Sequence, residues 1–321
     1  MTASPIPALP RIAGVAMIRN ECDIIELFLS INLRELDYIY LLDHQSDDGT
    51  RAIIEALQRD CPNISYTFWP DKEFRQAAAI TSAVREIAAK GIFDYIVPLD
   101  ADEFLVSTTA GRSVRQELAA NLPPDRFGLV PWQTFCPVSA NYFGASAPLH
   151  DVFRPRRVEN PQFYKIVLGN EFARNCSIGE GNHIAGHETY KAPPQVLPLV
   201  LQHAPVRSPE QIIRKAVLGQ HTLLLKPARG QSEGTHWDDM AAQIRERGFH
   251  LDDATLTRLA LGYAASANFA ENAVDQTAPG IGLPTDVLLY PDLARPNVLA
   301  HFDAYISQLV DRLRDRPAGQ P

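Results

Sequence analysis

The first hundred residues alternate short apolar runs with longer amphipathic segments, a pattern that restricts the chain to successive strand and helix units in a parallel sheet. The runs are Ile12–Ile18, Tyr38–Leu42, Ile64–Phe68 and Tyr95–Leu99. Between them lie segments of helical spacing: Ile24, Ile25, Phe28, Leu29, Ile31 and Leu33, then Thr50–Arg59, then Phe74–Lys90. Gly91 follows the last of these, where a helix C-terminal cap belongs. Polar breaks follow the first, second and fourth runs: Arg19, Asn20, Glu21; Asp43 to Gly49; and Asp100, Ala101, Asp102, Glu103. In open α/β sheets ligands bind outside the carboxyl ends of the strands, so three polar breaks on one edge predict one site.

From Phe127 to about Leu201 the pattern changes to short aromatic and β-branched pieces, such as Gly128–Trp132 and Phe163–Leu168, separated by Pro, Gly and Asn. These pieces are expected to complete the sheet and cover its edge. Ser208, Pro209, Glu210 and Gln211 form a capping-box pattern with proline at the first helical position, which opens a helix to about Leu225. Further helices are expected over Trp237–Arg247, Ala254–Ala265 and Val298–Arg314, with a proline-containing loop from Pro279 to Pro296. The expected organisation is a catalytic sheet domain over residues 10–206 and a mostly helical extension over 207–321 packed on it. A chain of 321 residues buries enough surface to fold without a disulfide or metal staple.

Charge narrows the partners. With 30 Lys and Arg against 38 Asp and Glu, the chain has a formal net charge of -8 and offers no electrostatic footprint for nucleic acid. A nucleotide bound through a metal ion is compatible with that acidity. Cys22, Cys61, Cys136 and Cys176 lie far apart without CxxC spacing, which suits a reducing compartment. No run reaches the roughly 18 apolar residues of a membrane span, and the N-terminus lacks a signal-type apolar core. The expected location is the cytoplasm, which makes the sequons at Asn63 and Asn175 accidental.

Two constellations carry chemistry. Asp100 and Asp102, two residues apart at a strand end and bracketed by apolar segments, can share a hard divalent cation with the oxygens of a diphosphate. Asp43 ends the second strand at the same edge, placed to meet a nucleobase or ribose, while Ser46, Asp47 and Asp48 are alternative caps for the following helix, Asp48 foremost.

Arg19-Asn20-Glu21, Leu42-Asp43-His44-Gln45-Ser46-Asp47-Asp48-Gly49-Thr50 and Leu99-Asp100-Ala101-Asp102-Glu103-Phe104 together resemble the nucleotide-sugar half of family 2 glycosyltransferases, in particular the bacterial glycosyltransferase 2-like branch. The resemblance covers Ile12 to Leu105, extends to Gly181-Asn182-His183 and His203–Ser208, and gives nothing beyond about residue 226. It implies a GT-A-type fold, a nucleotide-diphospho-sugar donor such as a UDP-sugar, a Mn²⁺ or Mg²⁺ ion, and transfer with inversion. By the same likeness Asp43 would contact the nucleobase, Asp100 the ribose or metal and Asp102 the metal, with Asn20 and Glu21 lining the nucleotide pocket. The Gln-x-x-Arg-Trp motif of processive synthases is missing, which disfavours a processive enzyme.

The remaining site residues follow from the chemistry of such a transfer. An acceptor hydroxyl must lose a proton to a general base, for which Glu180, beside Gly179 and Gly181, is the candidate. His203, at a strand-to-helix junction, is preferred to His183 as a further metal ligand, and Arg207, just before a capped helix, is the best-placed cation for the diphosphate among Arg19, Arg75, Lys165, Arg207 and Lys215. Trp132, Phe135, Tyr142 and Phe143 could stack on an acceptor sugar or belong to the core. A glycan, a lipid-linked sugar or a protein would be the acceptor, and the amphipathic segment Val298–Arg314 could touch a membrane surface. Two other readings stay open: a catalytically silent nucleotide-sugar-binding scaffold, and a sugar nucleotidyltransferase. The second is disfavoured because Gly14 lies inside the first strand rather than in a phosphate loop after it.

Overall fold

A computed structural model describes residues 9–70, 75–138, 148–154, 156–159, 161–224, 235–264, 274–275, 277 and 279–314. Tyr142 and Phe143 lie outside the described residues. The four apolar runs form β1 (Ile12–Ile18), β2 (Tyr38–Asp43), β3 (Ile64–Phe68) and β4 (Tyr95–Leu99), and the amphipathic segments between them form α1 (Ile25–Asn32), α2 (Thr50–Asp60) and α3 (Gln76–Lys90). Gly91 closes α3 with φ 65, the left-handed conformation that a side chain would disfavour.

The next stretch is more broken. It contains β5 (Glu103–Ser107), α4 (Val114–Asn121), β6 (Phe127–Thr134), α5 (Leu149–Val152), β7 (Arg156–Arg157) and β8 (Tyr164–Gly169). Then come α6 (Asn170–Ala173), β9 (Ser177–Ile178), a 3-10 turn (Glu180–Asn182), β10 (Ala185–Gly186), β11 (Gln195–Val196) and β12 (Leu199–His203). The C-terminal part holds α7 (Pro209–Leu224), α8 (Thr235–Glu246), α9 (Asp253–Gly262), β13 (Val274–Asp275) and α10 (Val298–Arg314). Ser208 Oγ accepts the Gln211 N–H at 3.1 Å, but the Gln211 side chain returns to the N–H of Arg207 at 3.1 Å, so the capping box closes one residue earlier than its pattern implies.

The sheet order is β3-β2-β1-β4-β8-β6-β12-β5, with β11 beside β6. β1 pairs in parallel with β2 and β4, and β2 in parallel with β3. β8 runs antiparallel to both β4 and β6, which restores the direction of β6 and of its parallel partner β12, while β5 is antiparallel to β12. The alternation has a consequence for chemistry. The carboxyl ends of β1, β2, β4, β6 and β12 and the amino ends of β5 and β8 share one rim.

Apolar side chains cover both faces. One face packs Ile18, Val97, Leu99 and Trp132 with residues of α1, α2 and α4, and the other packs Val15, Ile96 and Ile166 with α3 and α6. A third cluster joins Val206 and Cys136 to Ile212, Ala216, Met240, Ile244, Leu256 and Leu259, so α7, α8 and α9 share a core of their own. Trp132 and Phe135 are buried in the first core rather than presented to solvent. The chain then returns to α1 and α2: the Glu26 carboxylate accepts the N–H groups of Leu289 and Tyr290, and a Cβ on Gly49 would collide with the Leu293 carbonyl oxygen. Gly49 is therefore a close-approach glycine, not merely a turn residue. Among the described residues no helix is long and apolar enough to cross a membrane.

Candidate active site

The loops after β1 and β2 are tied to each other. Asn20 adopts φ 59, a left-handed conformation that asparagine tolerates better than most residues. Its N–H donates to Ser46 Oγ at 2.9 Å and its Oδ1 accepts the Asp47 N–H at 2.8 Å. Asp43, at the end of β2, is 1% exposed and accepts the Tyr66 hydroxyl at 2.5 Å and the Ser46 hydroxyl at 2.6 Å. Burial, with that carboxylate beside it, pushes the Tyr66 phenol above its ordinary value. Asp48 accepts the Thr50 N–H at 2.9 Å, but the residue at the N-cap of α2 is Gly49 and no side chain caps the helix, so none of Ser46, Asp47 and Asp48 fills the expected capping role. Asp48 also pairs with Arg214 of α7 at 2.9 Å. Burial alone would raise its carboxyl, but Arg214 and Thr50 together hold it below the usual range.

The second half of the site lies around the β4–β5 connection. Asp100 accepts Lys165 Nζ at 2.6 Å and the Gln76 amide at 3.0 Å. Lys165 stands at the amino end of β8 with its side chain wholly buried, reaches Glu103 at 3.2 Å, and lies 5.2 Å from the centroid of the Trp132 ring. Desolvation would lower the Lys165 ammonium, yet Asp100 and Glu103 outweigh it and keep the group charged. Asp102 meets Lys215 at 2.9 Å, Arg207 at 3.3 Å and His203 at 3.5 Å. Those neighbours overcome desolvation and hold its carboxyl well below the usual range. His203 stacks on Trp132 with centroids 4.3 Å apart, and the indole Nε1–H donates to Glu103 at 2.6 Å.

Arg207 is wholly buried and grips Glu21 at 2.6 Å and Asp23 at 2.5 Å as well as Asp102. Asn20, Glu21, Asp43, Asp100, Asp102, His203 and Arg207 thus stand on the shared rim, joined by hydrogen bonds or ion pairs into two linked groups. Glu180 lies apart from them, exposed on the 3-10 turn that packs against α3 and β8. His183 sits behind the cluster, its Nδ1 2.7 Å from the Tyr164 carbonyl oxygen and its ring edge-on to Trp132.

Several participants escape sequence reasoning. Asp23 repeats behind β1 the two-residue spacing of Asp100 and Asp102, a signal present in the sequence. Tyr66, Gln76 and Arg214 come from elements whose relative placement no local pattern records. Least foreseeable is His301 of α10, whose Nδ1 lies 2.6 Å from Asp47 Oδ1 and 3.2 Å from the Asn20 amide.

Among the described residues no group of three His, Cys, Asp or Glu side chains converges as a ready metal shell. The charge balance nonetheless fits a divalent cation. Glu21, Asp23, Asp48, Asp100, Asp102 and Glu103 confront Lys165, Arg207, Arg214 and Lys215, an excess of two carboxylates over cations. Desolvation raises the Glu21 and Glu103 carboxyls, against the pull of Arg207 on one and Lys165 on the other. Hard carboxylate oxygens with uncompensated charge are the donors that Mn²⁺ or Mg²⁺ takes.

A sheet of this kind, with a parallel half, an interposed antiparallel strand and acids at the strand ends, has the architecture of a GT-A-type fold. Residues 15–109 match the family described as Glycosyl transferase family 2. The matched stretch runs from β1 to the end of β5, the part of the sheet that carries the Asn20, Asp43, Asp100 and Asp102 rim. No curated protein sequence matches it.

Solved structures with a similar fold include residues 1–349 of S. aureus TarS, at 12% identity over 74% of this chain and 72% of that one, TM-score 0.33. Glucosyl-3-phosphoglycerate synthase from Mycobacterium tuberculosis, solved with Mn²⁺, UDP-glucose and phosphoglyceric acid, is similar at 20% identity over 30% of this chain and 34% of that one, TM-score 0.21. GalNAc-T7 with UDP, GalNAc and Mn²⁺ is similar at 8% identity over 72% of this chain and 54% of that one, TM-score 0.36. The chain thus spans about a third of the synthase and about half of GalNAc-T7.

Proposed function

We propose that the protein transfers a sugar from a nucleotide-diphospho-sugar, a UDP-sugar in the first instance, to an acceptor hydroxyl, with inversion and with Mn²⁺ or Mg²⁺. The observation that carries this reading is the union on one rim of the Asn20–Asp43–Ser46 loop pair with the Asp100 and Asp102 carboxylates. In this reading residues 10–206 are the catalytic unit, and the extension 207–321 completes its site through α7.

Asn20, Glu21 and Asp43 line the nucleotide, with Tyr66 and Ser46 fixing the Asp43 carboxylate. Asp100, Asp102 and His203 hold the divalent cation, whose positive charge stabilises the leaving diphosphate. Lys165 keeps Asp100 ionised and oriented through its buried ion pair. Glu180, exposed on the turn against α3 and β8 and apart from this rim, is not assigned the acceptor proton. The acceptor is a glycan, a lipid-linked sugar or a protein, met in the cytoplasm, and α10 is the element proposed for any contact with a membrane surface.

The test is thermal. UDP at millimolar concentration with Mn²⁺ should raise the melting temperature of the wild-type protein by linkage, and chelator should abolish the rise. Asp102→Asn should remain folded, lose the Mn²⁺-dependent rise and lose sugar release from the active UDP-sugar. A wild-type protein that shows no shift, with no turnover in a nucleotide-sugar screen, would favour the silent scaffold. Retention of both responses by Asp102→Asn would remove Asp102 from the site.

A further inference from the structure

Three cations approach the carboxylate cluster from residues 207 to 215, and the structure gives them different freedoms. Arg207 has no exposed side-chain surface and is closed off by Glu21, Asp23 and Asp102. Arg214 is 5% exposed in its side chain and is held by Asp48 and by the Asn20 carbonyl oxygen. These two lock the start of α7 to the loops after β1 and β2. Lys215, next to Arg214 in sequence, is the exception: its side chain is 25% exposed and its ion-pair partner is Asp102, whose own side chain is 2% exposed. Lys215 therefore stands at the solvent side of the carboxylate proposed to receive the divalent cation.

From this arrangement we infer that Lys215 is a tethered counter-ion that holds Asp102 in the empty site and moves to the diphosphate when nucleotide and cation arrive together. The inference rests on the proposed function. Its physical basis is charge. An ammonium 2.9 Å from the Asp102 carboxylate opposes a divalent cation at the same oxygens. Once the cation is bound, that repulsion drives the ammonium away, and the entering phosphate oxygens are the nearest new anions. Lysine suits the task because its charge is a compact point on a flexible stem with three donors. Arg207, fixed by three carboxylates, cannot make the same move, so the role expected of Arg207 at the diphosphate passes to Lys215. No bond is made or broken in the step.

The experiment measures two affinities on the full-length chain by calorimetry: Mn²⁺ alone, and UDP in saturating Mn²⁺. Lys215→Met, with Lys215→Gln as a second variant, should strengthen Mn²⁺ binding about tenfold, because its electrostatic competitor is gone. It should weaken UDP binding about 10- to 100-fold, the size of a lost charge-assisted hydrogen bond. Lys215→Arg should keep most of the UDP affinity. These opposite signs separate the inference from a structural role, which would weaken both affinities together. Unchanged or weaker Mn²⁺ binding in both neutral variants would overturn it, as would unchanged UDP binding. A wild-type protein that binds neither Mn²⁺ nor UDP would instead overturn the proposed function and the inference with it.

Discussion

His183 shows how a single residue can couple the core to pH. Its ring is packed between Trp132 and Phe163, with Nδ1 against the Tyr164 carbonyl oxygen. Burial, and then the positive charge of Lys165, hold its pKa below the ordinary value of 6.5. The folded state therefore keeps the ring neutral at a pH where the unfolded chain protonates it. Stability is unaffected above about 6.5 and is lost as pH falls below it, by up to about 1.4 kcal/mol per unit until the folded pKa is reached. His183→Gln should remove this component. Urea midpoints for wild type and variant at three pH values across that window should converge towards acid pH, whereas parallel curves would mean that His183 titrates alike in both states.

At the level of elements, α7 joins the C-terminal helices to the rim of strand-end carboxylates. Its apolar face, with Ile212, Ala216 and Val217, belongs to the core shared with α8 and α9, while Arg214 and Lys215 turn to the strand ends. Arg207, immediately before it, is the electrostatic fastening. Replacing a buried guanidinium that faces three carboxylates leaves those charges uncompensated, and breaking such an arrangement typically costs about 3–5 kcal/mol. Arg207→Met should therefore lower the urea midpoint substantially and shift the loss towards higher pH, since Glu21, already raised by burial, would take up a proton more readily. A midpoint within error of wild type would show that Lys215 and His203 suffice to hold the cluster.

Taken as a whole, the molecule places its last helix against its first loops. His301 of α10 is 6% exposed and bonds Asp47 and Asn20, residues of the two loops proposed to line the nucleotide. The segment before α10 is fastened to α1 through Glu26 and pairs Asp286 with Arg34. His301→Ala should raise the Kd for UDP about fivefold, the worth of roughly one hydrogen bond, while changing the far-UV spectrum little. Unchanged UDP affinity would assign the contact to stability alone.

Much of this protein was legible in order along the chain. Ile12–Ile18, Ile64–Phe68 and Tyr95–Leu99 are strands within the bounds their apolar runs imply, and Val298–Arg314 is a helix over its full expected length. Apolar periodicity is a local signal, set by whether one or both faces of an element meet the core. The strand-end acids were legible for a related reason, because a carboxylate directly after a buried run must turn to a rim. By contrast, β5 begins at Glu103, inside the expected polar break, because Asp100–Asp102 forms only a tight connection before the chain re-enters the sheet. No local pattern announces that return.

The sequence by itself determined the alternating units, the acids at their ends and the kind of ligand those acids suit. Only the tertiary structure decided which cations answer them. Lys165 reaches Asp100 because β8 runs antiparallel and starts on the rim, and Arg207, Arg214 and Lys215 reach Glu21, Asp48 and Asp102 because the start of α7 is laid across two strand ends. His301 reaches Asp47 across 254 positions. Hydrophobic pattern acts over one or two turns of chain and can be read there, whereas an ion pair between distant segments exists only once strand order and direction have placed its partners within a few ångströms.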